Sequence, residues 1–194
     1  MNPAAIFSTC SRPTLPQARR LLDAGIPARM IARRDLVRVS RVAAVGRLFD
    51  FVEDGTPSWI TPVCGLPDGT LEYPQPLEVI DQLPVLDLVA WRLTRPMDWA
   101  LLRGAVTVAG LIEPQNFGPP PVVVHRSVLD WLAADTDGVV LLTDKPRERG
   151  DILREFAEVA AADAKHRAEL IADASRPWPI PRITVRRDVR RAVA

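Results

Sequence analysis

Residues 18–42 read ARRLLDAGIPARMIARRDLVRVSRV. Two architectures compete for them: a helix-turn-helix that reads DNA, and a helical lead-in that hands the chain to a sheet. The opening helix is well marked. Thr14 is a natural N-cap, Gln17 completes a capping box, and Pro16 falls in the first turn, where its missing N–H does no harm. Leu15, Ala18, Leu21 and Leu22 recur at helical spacing. Gly25 suits the residue after the C-cap. Pro27 opens a second short helix, with Met30 and Ile31 inward and Arg29, Arg33 and Arg34 outward. The next turn, Asp35-Leu36-Val37-Arg38, lacks glycine and is long for a helix-turn-helix. The segment VSRVAAVG, where a recognition helix would stand, is β-branched and runs straight into strand-like sequence. The expected reading is a helical pair over residues 1–35 that leads into a sheet, with a degenerate helix-turn-helix as its alternative.

LLDAGIP, ARMIARR and the following VSR resemble the start of bacterial helix-turn-helix units. That resemblance covers about 25 residues. The basic charge of the opening segment makes Arg29, Arg33, Arg34, Arg38 and Arg41 the first set of expected phosphate contacts.

Downstream, the chain alternates. Val37, Val39, Val42 and Val45 are β-branched, and RLFDFVEDGTPSWITPVC predicts a hairpin turning at Asp54-Gly55. PVLDLVAW reads as a strand, Pro96 to Arg103 as a short helix closed by Gly104, and AVTVAGLI as another strand. VVVH, then SVLDWLAAD capped by Ser127, then GVVLLTD fit a βαβ crossover, which makes part of the sheet parallel. Residues 150–175 read as the longest helix. The expected fold is a single α/β domain with a mixed, partly parallel sheet over 36–175, an N-terminal helical pair and a long C-terminal helix. A Pro/Arg-rich arm covers 176–194.

The 194 residues are 47% hydrophobic and 25% charged, ordinary for a globular protein and unlike a disordered one. The net charge of +1 hides an uneven layout: residues 1–42 carry +6, residues 176–194 carry +5, and the middle carries −10. Basic ends on an acidic body suit nucleic acid, pairing with the body itself, or a second copy of the chain. Cys10 and Cys64 form no disulfide framework or CxxC pair. No apolar run reaches the ~18 residues of a membrane span, and no secretory signal opens the chain, so the cytoplasm is expected.

Chemistry is sparsely signalled. The second set of phosphate contacts would be Arg186, Arg187, Arg190 and Arg191. His125, Arg126 and Ser127 follow a strand and open a helix, where α/β sheets tend to bind ligands, and with Asp144 they form the small-molecule candidate. His166 sits mid-helix between Lys165 and Arg167 and reads as solvated. Asp135, Asp137 and Asp144 bracket a strand, but in turn chemistry rather than metal-ligand spacing. No phosphate-binding glycine loop, GxGxxG, HExxH or GxSxG is present, so no cofactor, metal or catalytic residue is assigned. Trp59, Trp91, Trp99 and Trp131 read as core. Trp178, between prolines, reads as an anchor docking the arm on this body or a neighbour, and residues 163–194 as a surface for homo-oligomerisation.

PVLDLVAWRLTRPMDWALLRGAVTVAG and VVVHRSVLDWLAADTDGVVLLTD, within residues 84–144, resemble proteins from phage-like and plasmid-like regions of GC-rich bacterial genomes. The resemblance carries no activity and no site residues. It implies work on nucleic acid. The expected function is a non-catalytic accessory protein of a bacterial mobile element that contacts nucleic acid, or a nucleic-acid-processing partner, through its basic ends. The alternatives are a small α/β enzyme or ligand-binding domain near His125 and Asp144, and an assembly subunit using the C-terminal arm.

Overall fold

A computed structural model describes residues 2–32, 35–65, 84–110 and 121–176. Strand β4 (Val85–Arg92) divides its side chains between two cores. Leu88 and Ala90 point one way, Val89 and Trp91 the other. Strand β5 (Arg95–Leu101) repeats this, with Ala100 on the first side and Trp99 and Leu101 on the second. This is the two-residue period of a sheet buried on both faces.

The first core is the inside of a closed five-stranded barrel. Its other strands are β1 (Arg38–Val45), β2 (Leu48–Phe51) and β3 (Thr56–Cys64), and the order around it is β1-β2-β5-β4-β3. Four of the pairings are antiparallel, and β2 closes on β5 in parallel at Leu48 and Leu101. Val42, Phe49, Ile60, Leu88, Ala90 and Ala100 fill the interior. Helix α1 (Pro3–Thr9) adds Ile6 to this core, and Cys10 follows it.

The second core lies outside the barrel. Val63, Val89, Trp91, Trp99 and Leu101 pack there against helices α2 (Leu15–Asp23), α3 (Ala28–Ala32) and α4 (Val128–Ala133), and against a second sheet. That sheet has the order β6-β8-β7-β9, from β6 (Val108–Ala109), β7 (Val122–His125), β8 (Val139–Leu141) and β9 (Val159–Ala161). β7 and β8 run parallel with α4 between them, as the crossover reading expects. β8 also splits its side chains: Val140 faces the shared core, whereas Val139 and Leu141 face helices α5 (Pro146–Arg154) and α6 (Ala164–Ala174). The protein is an α/β fold with mixed sheets and a C-terminal helix.

The N-terminal signals act locally as their chemistry dictates. Thr14 and Gln17 form the capping box of α2. Gly25 takes φ +92, its N–H bonds Leu22 O, and the N–H of Ile26 bonds Leu21 O. Those paired bonds are a Schellman motif, which requires a left-handed residue at Gly25. Leu21 is fully buried, but Leu15 is 85% exposed, so the apolar stripe is narrower than its spacing implies. The segment VSRVAAVG lies in β1 as far as Val45, with Gly46 in the following turn, which removes the third helix of a helix-turn-helix.

Three expectations are corrected. Pro96 to Arg103 contains a strand, β5, because antiparallel pairing of Trp99 with Trp91 and Ala100 with Ala90 outweighs local propensity. Asp54-Gly55 does join two strands, but β2 and β3 both pair with β1 instead of with each other. Gly55 crosses close to β1: a Cβ there would lie 2.6 Å from Val42 O. The single helix expected over 150–175 is two helices separated by β9. Val159, Ala160 and Ala161 add in parallel to the free edge of β7, and Asp163 begins a new helix by accepting from His166 N at 2.8 Å.

Candidate ligand cleft and the basic segments

The barrel is closed at one end and open at the other. At the closed end, α1 lies against β3 and β4. Arg38, on the inner row of β1, fastens it. Its Nη1 stands 2.7–3.2 Å from the carbonyl oxygens of Phe7, Ser8 and Cys10, and Nη2 donates to Asp35 at 2.6 Å. The guanidinium also lies 4.9 Å from the Phe7 ring centre. A cation on the last carbonyls of a helix satisfies acceptors that have no partner within the helix.

At the open end the inner rows carry small and polar residues, and a cleft of about 340 Å³ remains. Its floor is Val42, Ala90 and Ala100, continuous with the barrel core. Ala44 and Gly46 form one wall, and Thr56 and Ser58 another. Arg92 and Asp98, facing each other across the β4–β5 hairpin, pair at 2.9 Å with side chains 36% and 51% exposed. Arg47 stands at the rim, its guanidinium 4.3 Å from the Trp99 ring centre. It donates from Nη1 to Trp99 O at 3.1 Å and from Nε to Asp144 at 3.3 Å. Two cations, one carboxylate and two hydroxyls therefore border an apolar floor. The volume lies in the range of small-ligand sites, about 300–1,000 Å³.

The arginines nominated for phosphate contact are dispersed. Arg29 makes a bidentate pair with Asp135, which raises the guanidinium's pKa through that hydrogen bond. Arg38 is committed to α1 and is only 14% exposed. Arg41 is exposed and donates to Gly55 O at 3.0 Å. Arg38 and Arg41 would share a face on a helix, but three residues apart on a strand they point to opposite faces. Arg33, Arg34, Arg186, Arg187, Arg190, Arg191 and Trp178 lie outside the described residues.

The four ligand candidates are each held separately. His125 Nε2 donates to Asp137 O at 2.6 Å, since a carbonyl only accepts. Arg126 grips Asp163 through Nε and Nη2 and reaches Glu169 through Nη1. That grip, with the backbone N–H of His166, lowers the Asp163 carboxyl to about 2. Ser127 caps α4 by accepting from Asp130 N. Asp144 is the one that touches the cleft's lining, through Arg47. His166, expected in solvent, is 3% exposed. The N-cap turn at Asp163 folds the ring inward, where Nδ1 accepts from Ala162 N at 3.2 Å. Burial, then the nearby Arg126, lowers its pKa. Among the described residues no group of three His, Cys, Asp or Glu is placed to hold a metal, and no helix is long and apolar enough to cross a membrane.

No protein-family model, curated protein or solved structure matches the chain. The cleft escaped the sequence reading because its residues come from four strands and the turn between the first two. The available signal was small or hydroxyl residues on alternate positions: Val42, Ala44 and Gly46 on one stretch, Thr56 and Ser58 on another.

Proposed function

We propose that this chain is a non-catalytic accessory protein that binds nucleic acid, with the open mouth of the barrel as its contact surface on the body. The observation that carries this reading is the cleft itself, a concave surface bordered by Arg47 and Arg92 over an apolar floor. The excess positive charge of residues 176–194 supports it as a second, sequence-independent contact. Service in a bacterial mobile element is part of the same proposal. Arg29 and Arg38 leave the list of first contacts, because their guanidinium groups already serve the fold.

The test is binding to generic DNA titrated against salt. Wild type is compared with two variants: Arg92→Gln on the body, and Arg186, Arg187, Arg190 and Arg191 changed to Ala on the arm. Each phosphate contact contributes about −0.9 to the log–log salt slope on duplex and about −0.7 on single strands. A steep slope that flattens in both variants is expected. No binding at low salt would reject the reading.

A second reading has one observation in its favour. Asp144, nominated with His125, holds Arg47 at the rim. On that reading the chain is a ligand-binding domain for a small anionic molecule in the same cleft.

A further inference from the structure

We infer that the cleft takes one unpaired nucleotide of a single-stranded nucleic acid, so that the protein prefers single strands to duplex. The inference rests on the nucleic-acid reading and specifies what its site accepts.

Three features point to it. First, the floor is apolar. Val42, Ala90 and Ala100 belong to the buried core of the barrel and also line the cleft. A duplex presents its phosphates on a convex surface and keeps its bases stacked inside, so it cannot reach such a floor. A base released from its stack is planar, and its faces suit apolar contact.

Second, the walls carry both signs of hydrogen-bonding group. The Asp98 carboxylate only accepts, as the N–H edge of a base requires. Arg92 only donates, as ring nitrogens and carbonyl oxygens require. Ser58 and Thr56 add hydroxyls that do either. Arg92 and Asp98 now satisfy each other, but as an exposed pair they hold together weakly and can exchange partners. A site for inorganic phosphate alone would have no use for a carboxylate at its wall.

Third, the rim carries a fixed cation. Arg47 is anchored by Trp99 and Asp144 and remains 40% exposed beside the opening. A phosphate linked to a seated base would lie outside the cleft, where Arg47 stands.

Small side chains are what keep the cleft open. Ala44 is exposed, lies on a wall and stands opposite Phe49 in the register, so a larger side chain there packs beside Phe49 and fills the cleft. Ala44→Phe is therefore the blocking variant, and Arg92→Gln the variant that alters the polar edge. Both are first checked for unchanged thermal melting.

Fluorescence anisotropy of a labelled single-stranded oligonucleotide is compared with that of the same sequence annealed to its complement. Wild type should bind the single strand at least about tenfold more tightly than the duplex. Ala44→Phe should cost about tenfold on the single strand and much less on the duplex, which does not reach the floor. Arg92→Gln should weaken the single strand more than loss of one phosphate contact does. Unlabelled mononucleotides should compete poorly, because they lack the neighbouring phosphates. Equal affinity for the two forms, with no effect of Ala44→Phe, overturns this inference and leaves the broader reading standing. Competition by mononucleotides as strong as that by the oligonucleotide overturns the assignment to a strand. Absence of binding to both forms at low salt rejects the broader reading itself.

Discussion

The two ends of the barrel are built from the same strands and differ in what their inner rows carry. At the end under α1, Ile60 and Leu88 fill the interior, Ile6 plugs it, and Arg38 ties the plug down. At the other end the rows continue as Ala44, Gly46, Thr56, Ser58 and Arg92, and the interior opens into the cleft. The contrast concerns side-chain volume and satisfaction. Arg38 is half-buried, with the donors of Nη1 and Nη2 spread over three carbonyls and a carboxylate and its Nε left without a partner. Arg92 has a single exposed carboxylate partner. A residue type read as one functional class in the sequence thus holds the fold at one end and is available for exchange at the other.

The largest expected effect comes from hollowing the closed end. Leu88→Ala removes a fully buried side chain and should cost about 3–4 kcal/mol in urea unfolding. Arg38→Ala should follow at about 2–3 kcal/mol, because helix carbonyls and Asp35 lose a charged donor in a semi-buried place. A loss no larger than that of an exposed arginine would break the comparison.

Acid should act on the second sheet, where β9 leads into α6. Asp163 is held at about 2 against an ordinary 3.8, so its contribution is complete above 3.8 and disappears as pH falls toward 2. His166 is lowered below 6.5 by burial. The unfolded chain takes up that proton first, so stability also declines as pH falls through 6.5. Melting temperatures followed from neutral pH downward should show both declines. Asp163→Asn should flatten the lower one and His166→Asn the upper. Curves identical to wild type would contradict the assigned contacts.

The smallest effect belongs to the open end. Arg92→Gln should change stability by less than about 1 kcal/mol, as exposed ion pairs do. A loss matching that of Arg38→Ala would show that the mouth is structural and not a binding surface.

Much of the local structure was legible from local chemistry. The capping box at Thr14 and Gln17, the Schellman turn at Gly25 and the Ser127 cap each depend on a few adjacent residues. So does the parallel β7–α4–β8 unit, whose strand and helix signals lie close together. The site was less legible. Asp144 touches its lining through Arg47, 97 residues away in sequence, and no periodicity reports such a contact.

By itself the sequence determined an α/β chain, its helix boundaries near residues 14–25 and 127–133, and four tryptophans that belong to buried or half-buried surroundings. Only the tertiary structure decided that Pro96 to Arg103 contains a strand, that the last helical stretch divides around β9, and that β2 meets β5 to close a barrel. The physical reason is the same in each case. A helix cap is satisfied by neighbours in the chain, whereas a strand is satisfied only by another strand. Closing the barrel turned one row of small residues into a cleft and gave its arginines opposite duties.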